Sequence, residues 1–139
     1  MRLLITTPTS VVIDEQDVAA VRAVDESGSF GILNGHADFL TALSVSVVSW
    51  SHADDRQRFC AVRPGVLSVR NGNEVAIATR EAIAGDDLAR LERSVLAQFR
   101  ESLDAERAAR TENLKLQMQA IRRIVHYLRP ERPGLLAGR

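Results

Sequence analysis

Residues 74–91 read Glu74-Val75-Ala76-Ile77-Ala78-Thr79-Arg80-Glu81-Ala82-Ile83-Ala84-Gly85-Asp86-Asp87-Leu88-Ala89-Arg90-Leu91. The run 75–79 is apolar and of strand length. Gly85 followed by Asp86 and Asp87 opens a helix, because carboxylates accept bonds from the free amides of a first turn and complement its dipole. The period changes at that point. Leu88, Leu91, Val95, Phe99 and Leu103 recur at three- and four-residue steps. Leu114, Met118, Ile121, Val125 and Leu128 do the same, which is the spacing of one helical face. Neither Gly nor Pro occurs between 86 and 129, whereas six of the 8 glycines and two of the 4 prolines lie in 1–85. Residues 104–113 are polar and Ala-rich with Asn113 as a weak breaker, so two helices folding back as a hairpin are expected. One helix through all 44 residues of 86–129, about 66 Å at ~1.5 Å per residue, is open to the same letters.

Upstream, short β-rich runs occupy 2–6, 11–13, 18–24, 44–51, 56–62, 66–69 and 75–79. Val18, Ala20, Arg22 and Val24 share one face of their strand, and Ala19, Val21 and Ala23 the other. Turn residues separate the runs at 25–28, 34–36, 51–55 and 63–65. Asn71-Gly72 between two apolar runs marks a hairpin, since both residues tolerate the positive φ of a type I′ turn. Many short strands at this spacing predict an antiparallel sandwich or barrel. The fold class is therefore β then α. An N-terminal antiparallel β-sandwich is expected over 1–84, a C-terminal α-helical hairpin over 85–129, and a flexible tail over 130–139, where Pro130, Pro133, Gly134 and Gly138 recur.

Composition narrows the function. Of 139 residues 45% are hydrophobic and 26% charged, which is globular rather than disordered. Eighteen basic and 18 acidic residues cancel, which argues against a wholesale nucleic-acid binder. The cancellation hides a split. Residues 1–84 hold 7 basic and 10 acidic side chains, and 85–139 hold 11 and 8. The basic excess lies beyond Asn113, on a face suited to water or to an acidic protein partner. A single cysteine, Cys60 in an apolar run, excludes an internal disulfide and a multi-cysteine zinc site. His36, His52 and His126 have no metal-ligand spacing, and His36 with Asp38 reads as a turn rather than a base and its orienter. Phosphate-loop, dinucleotide and nucleophile-elbow motifs are absent. No signal peptide or membrane-length apolar run occurs. A soluble, non-enzymatic chain without cofactor or metal is expected.

One stretch is more specific. Gly28-Ser29-Phe30-Gly31-Ile32-Leu33-Asn34-Gly35-His36-Ala37-Asp38-Phe39-Leu40-Thr41-Ala42-Leu43 resembles the G-x-x-G-I-L-P-G-H-A-x-[FL]-[LV]-T-x-L signature of epsilon subunits of rotary F-type ATP synthases. Val62-Arg63-Pro64-Gly65-Val66-Leu67-Ser68-Val69 resembles that family's V-x-G-G-[FVL]-L-x-V block, and Glu74 to Thr79 its next strand. The likeness spans about residues 1–128. Asp86-Asp87-Leu88-Ala89-Arg90-Leu91-Glu92 and Ala120-Ile121-Arg122-Arg123-Ile124-Val125-His126-Tyr127-Leu128 are similar to the alternate bacterial branch. Asn34 replaces the usual Pro, and Pro64 the first Gly of the pair.

The resemblance implies a non-catalytic central-stalk subunit of a proton- or sodium-translocating enzyme, peripheral on the cytoplasmic face of the bacterial inner membrane. It implies as partners the gamma subunit, the c-ring and the catalytic alpha and beta subunits, with no nucleic acid. Ile32, Leu33, Asn34, Gly35 and His36 match the family's lower contact turn. Arg107, Arg110, Arg122 and Arg123 match helix charges that meet acidic loops when the helices restrain ATP hydrolysis. An ATP-binding motif of some members, [IL]-D-x-x-R-A, is met at the matching place only by Asp87 and Arg90, while Leu103-Asp104-Ala105-Glu106-Arg107-Ala108 fits it by letter but lies about four turns too late. Asp86 and Leu91 depart from it, so no bound nucleotide is expected. The alternative is a β-sandwich adaptor whose basic hairpin binds another acidic protein or RNA.

Overall fold

The computed structural model describes residues 1–128. The tail expected at 130–139 lies outside them. Among the described residues ten strands occur: β1 (Arg2–Thr6), β2 (Val11–Glu15), β3 (Val18–Asp25), β4 (Gly28–Leu33), β5 (Phe39–Leu43), β6 (Ser46–His52), β7 (Gln57–Val62), β8 (Gly65–Arg70), β9 (Glu74–Thr79) and β10 (Ala82–Gly85). They join in the order β10-β7-β6-β3-β5-β8-β9-β1-β2, with β4 paired to β3. β3 and β5 meet through a single pair, Asp25 with Leu43, so the path breaks there into two five-stranded layers. β10 and β2, the two ends of the path, approach each other and give the sandwich a barrel-like closure. All partners are antiparallel except β1 with β9.

One face of every strand from β1 to β9 feeds a common core. Leu3 and Ile5 from β1, Val21 from β3, Ile32 from β4, Val48 and Trp50 from β6, Val62 from β7 and Leu67 from β8 are essentially inaccessible. A pleated strand sends successive side chains to opposite faces. The faces read for 18–24 hold from Ala20 on, but an irregularity between Val18 and Ala20 puts Val18 in the core with Val21 and Ala23 rather than with Ala20, Arg22 and Val24. The hairpin at Asn71-Gly72 forms as expected. Both residues have positive φ, +55° and +69°, and the Asn73 amide donates to the Arg70 carbonyl at 3.2 Å.

Three strands escaped the sequence reading. β4 carries two glycines, β5 lies inside the signature stretch, and β10 is a four-residue Ala-rich edge. The glycines of β4 and the alanines of β10 have weak intrinsic β character, and each of the three strands is held by its neighbour: β4 by β3, β5 by β8, β10 by β7.

The helical region also differs from expectation. α1 (Leu88–Arg90), a π turn (Leu91–Val95) and α2 (Leu96–Leu128) run together as one helix, not a hairpin. A reversal needs a breaker, and Asn113 costs only about 0.7 kcal/mol in a helix interior. The surrounding Ala, Glu and Arg residues favour continuation. The chain divides into two units, residues 1–101 and residues from 102 onward. Within the first unit Leu91, Leu96 and Phe99 are buried on Ala61, with Val45, Val47 and Phe59 around them. These come from the outward positions of β6 and β7 and the segment just before β6. The sandwich layer is thus covered on that side by its own helix. Leu88, expected on the apolar stripe, is exposed, and Leu96, not expected there, is buried. The π turn accounts for Leu96, because it absorbs one residue and carries Leu96 to the face that Val95 would hold in a regular helix.

Candidate functional site

The turn after β4 begins from a buried anchor. Ile32 is fully inside the core, opposite Val21. It holds the turn in place and has no surface to offer a partner, which corrects its expected contact role. Leu33, the next residue, points outward and is 64% exposed. The chain then reverses at 34–36, with the His36 amide donating to the Leu33 carbonyl at 3.1 Å. The left-handed position is Gly35, φ +89°, and Asn34 is not among the residues of positive φ. Asn34 therefore replaces proline without having to enter that region. The turn is braced from behind by the β8–β9 hairpin. The Gly35 amide donates to the Gly72 carbonyl at 2.7 Å. A Cβ on Gly72 would lie 3.0 Å from the Gly35 Cα, so the two backbones touch through their glycines. The Asp38 carboxylate accepts from the Asn71 amide at 3.1 Å and closes the loop pair.

His36 is half-buried, and its Nδ1 donates to the Ala37 carbonyl at 2.7 Å. Its ring stands edge-on to Phe39, which stands edge-on to Phe30, with both centroid separations 5.7 Å. Phe39 and Leu40 are exposed beside this ladder, Leu40 at 71%. The turn thus presents leucine and aromatic surface on a rigid base, and it has no group placed for proton transfer. Leu40 leads onto a larger surface. Ala42, Val66, Ala76 and Ala78 occupy outward positions of β5, β8 and β9, between the buried rows of Leu67, Val69, Val75 and Ile77. Leu4 and Thr6 continue it on β1. Arg2, Glu74 and Arg70 pair across the strands and form a charged row at one end. Sequence reasoning missed this face. Its signal was present in Val66-Leu67, where adjacent apolar residues in an antiparallel strand put apolar surface on both sides.

The remaining polar groups serve structure. Glu15 accepts from Trp50 Nε1, His52 Nε2 and Arg58 Nη1, each at 3.0 Å. Arg58 also lies over the Trp50 ring, 5.9 Å from its centroid. A carboxylate holding three donors ties β2, β6 and β7 together and is not available as a base. Among the described residues no group of three or more His, Cys, Asp or Glu is arranged to hold a metal. Cys60 is buried, and burial pushes its thiol up to about 12, so it stays protonated and unreactive.

Asp87 and Arg90 do come together at the helix start. They line a cleft of about 330 Å³ with Ile83, Gly85, Asp86 and Leu91. Asp87 Oδ1, however, accepts from the Ala89 and Arg90 amides at 3.0 and 3.3 Å, which is N-cap work. In the second unit Arg107, Arg110, Arg122 and Arg123 are all exposed along α2. Leu114, Met118, Ile121, Val125 and Leu128 are exposed as well. These apolar residues follow one another at four- and three-residue steps, so they make one stripe along the helix.

Comparison with known proteins agrees with this architecture. A family model described as the β-sandwich domain of the ATP synthase delta/epsilon chain matches residues 1–85. The ATP synthase epsilon chain 2 of Paraburkholderia xenovorans is 48% identical over 132 residues, 95% of each chain. The ATP synthase epsilon chain 2 of Cereibacter sphaeroides is 41% identical over 128 residues, 92% of this chain and 88% of that one. The fold is similar to that of a chain in the Euglena gracilis mitochondrial ATP synthase, with TM-score 0.58 and 22% identity over 76% of this chain and 62% of that one. A chain from the Tetrahymena thermophila mitochondrial ATP synthase gives TM-score 0.51 and 16% identity, over 60% and 65%. At these identities the two structures bear on fold alone.

Proposed function

The chain belongs to the family of ATP synthase epsilon chains, non-catalytic subunits of that complex, and from this premise we propose that it is a mechanical link of the central stalk. The sandwich binds the gamma subunit through the uncovered face of β5, β8, β9 and β1. The 33–36 turn, with Leu33, Asn34, Gly35 and His36 at its surface, rests on the c-ring. The observation that carries this reading is the asymmetry of the sandwich. One outer face is covered over β6 and β7 by the chain's own helix, and the other is a largely apolar sheet face, with Leu40, Ala42, Val66 and Ala78 exposed to solvent. Contiguous apolar surface of this kind marks an interaction site. Small residues there let a partner approach the sheet closely.

In this reading the second unit supplies regulation. Arg107, Arg110, Arg122 and Arg123 pair with acidic groups on the catalytic alpha and beta subunits, and the stripe from Leu114 to Leu128 is buried when they do. Charge-assisted pairs favour that state. The subunit sits peripherally at the cytoplasmic face of the inner membrane. Among the described residues no helix is long and apolar enough to cross a membrane. Asp87 Oδ1 serves the helix cap, and this reading assigns no part to a cofactor or nucleotide.

Two variants test the halves separately. Leu40→Arg puts a charge on the open face at a position 71% exposed. It is expected to abolish co-purification with gamma while leaving the melting temperature unchanged, and undiminished co-purification refutes the assignment of that face. Truncation after Glu101 keeps Leu91, Leu96 and Phe99 in place. It is expected to leave gamma binding intact and to raise the ATPase rate of the assembled enzyme. An unchanged rate refutes the restraining role and leaves the stalk role standing.

A further inference from the structure

β4 carries a glycine that the chain itself does not require. Gly31 has no positive φ, and a Cβ there would meet nothing nearer than the Val21 carbonyl oxygen at 3.9 Å, an ordinary contact. Neither backbone strain nor crowding calls for glycine, although glycine weakens a strand interior. A strand glycine of this kind marks a place where another backbone or a ligand comes close. Gly31 is exposed in the middle of β4.

The edge of β4 is open at that point. Asp25 and Gly28 flank a two-residue turn and form its closing bonded pair, so Ala23 with Phe30 and Val21 with Ile32 are the next bonded pairs. The pairs between them turn their amides and carbonyls away from each other. The Val24 carbonyl accordingly accepts from the Ser44 amide at 3.2 Å, and the Leu33 carbonyl from the His36 amide at 3.1 Å. The amides and carbonyls of Ser29 and Gly31 therefore point out along the far edge of β4, where no strand among the described residues pairs. Such edges are ordinarily blunted by charge, proline or brevity. β4 has six residues, none of them charged and none proline.

The face beside this edge supplies the chemistry. Arg22 of β3 stands in register with Gly31 on one side and Ser49 on the other. It is exposed, and no ion pair among the described residues includes it. Ala20, Gly31, Ser49 and Ser51 leave a cleft of about 340 Å³ around it, bounded by Leu33 and Gln57. A strand added to β4 would lie about 10 Å from β3, two strand spacings away. With no side chain at Gly31 between them, Arg22 and a carboxylate on the added strand meet across that span. We propose that the free edge of β4 docks an extended, acidic segment of another protein as an added antiparallel strand, its carboxylate opposite Gly31 and paired with Arg22. Backbone bonds from Ser29 and Gly31 hold the segment, and Arg22 selects the acid. The site goes beyond the stalk assignment, since β3, β4 and β6 belong to the layer opposite the face given to gamma.

The experiment titrates the ¹⁵N-labelled full chain with an end-capped peptide, Thr-Val-Thr-Glu-Thr-Val-Thr, and with the same peptide carrying Gln for Glu. Saturable shifts and slowed hydrogen exchange are expected at the Ser29 and Gly31 amides. The Gln peptide is expected to bind about fivefold more weakly. Arg22→Gln is expected to bind both peptides equally, and so is Gly31→Val, whose side chain stands between the charges. N-methylation of the central Glu removes the amide that bonds Gly31 and is expected to abolish binding. No shift at Ser29 and Gly31 with millimolar peptide overturns the site, and equal affinity for the two peptides in the unmodified chain overturns the role of Arg22. Shifts at the two amides that grow with protein concentration alone place a second copy on the edge and overturn the acidic partner. The unmodified chain decides the matter even if a variant does not fold.

Discussion

Phe99→Ala probes how the helix is held. Phe99 is 2% exposed and belongs to a small cluster with Ala61, Leu91 and Leu96, separate from the sandwich core. The separation is physical. β7 sends Cys60 and Val62 into the sandwich and Phe59 and Ala61 out toward the helix. Truncating a buried phenylalanine costs about 3–5 kcal/mol, from lost transfer energy and the cavity left behind. This cluster lies at the surface and can collapse or rewet, so the lower end applies, about 3 kcal/mol. That corresponds to roughly a 150-fold rise in the open population of the helix start. Amide hydrogen exchange measures it directly. Protection of residues 92–101 is expected to fall by about two orders of magnitude, while amides in β1, β8 and β9 keep theirs. The urea midpoint of the sheet is expected to move little. If the sheet loses the same 3 kcal/mol and helix protection falls only in step with it, helix and sandwich open as one cooperative body, and the two-cluster argument fails.

Two further perturbations follow from the packing and charge. A Cβ at Gly65 would stand 2.1 Å from the Ala78 carbonyl oxygen and 2.9 Å from the Thr79 Cα. Both are backbone, so Gly65→Ala must spread β8 from β9, at a cost of about 3 kcal/mol. Thermal unfolding should show a melting temperature lower by several degrees, and an unchanged value refutes the close approach. Asp25 lies where the two layers join, and the Ser27 and Thr41 hydroxyls hold its carboxyl below the ordinary carboxylate value. A lowered folded-state pKa contributes stability that is complete above the unfolded value of about 4 and disappears as pH falls through the folded one. Asp25→Asn is expected to flatten that part of the acid unfolding profile, and an identical acid limb refutes it.

Much of the fold was legible because local chemistry and the final structure agree. The alternation in 20–24, the Asn71-Gly72 turn and the switch of period after Gly85 each follow from one or two residues and their preferred dihedrals. β4 and β10 were not legible as strands, because glycine and alanine have little β preference and only a neighbouring strand holds them. Ile32 and Leu33 show the same limit within the candidate site. They are adjacent and both aliphatic, and no composition rule separates them. Register against Val21 sends one into the core and the other to solvent. The docking surface for the helix left a trace in Phe59-Cys60-Ala61-Val62, a run apolar on both faces, but not the identity of what covers it.

By itself the sequence determined the order of the parts, a Gly- and Pro-punctuated sandwich followed by a helix free of both, and the charge split behind a net of zero. It also carried the signature that placed the chain in its family. Tertiary structure alone decided which sandwich face stays open and which leucine meets the sheet. The physical reason is shared. Those outcomes depend on competition for one apolar surface on β6 and β7, where a π turn buries Leu96 and leaves Val95 half-buried beside it. Such a competition is settled by the shape of the packed surface, which the helical period along the chain does not encode.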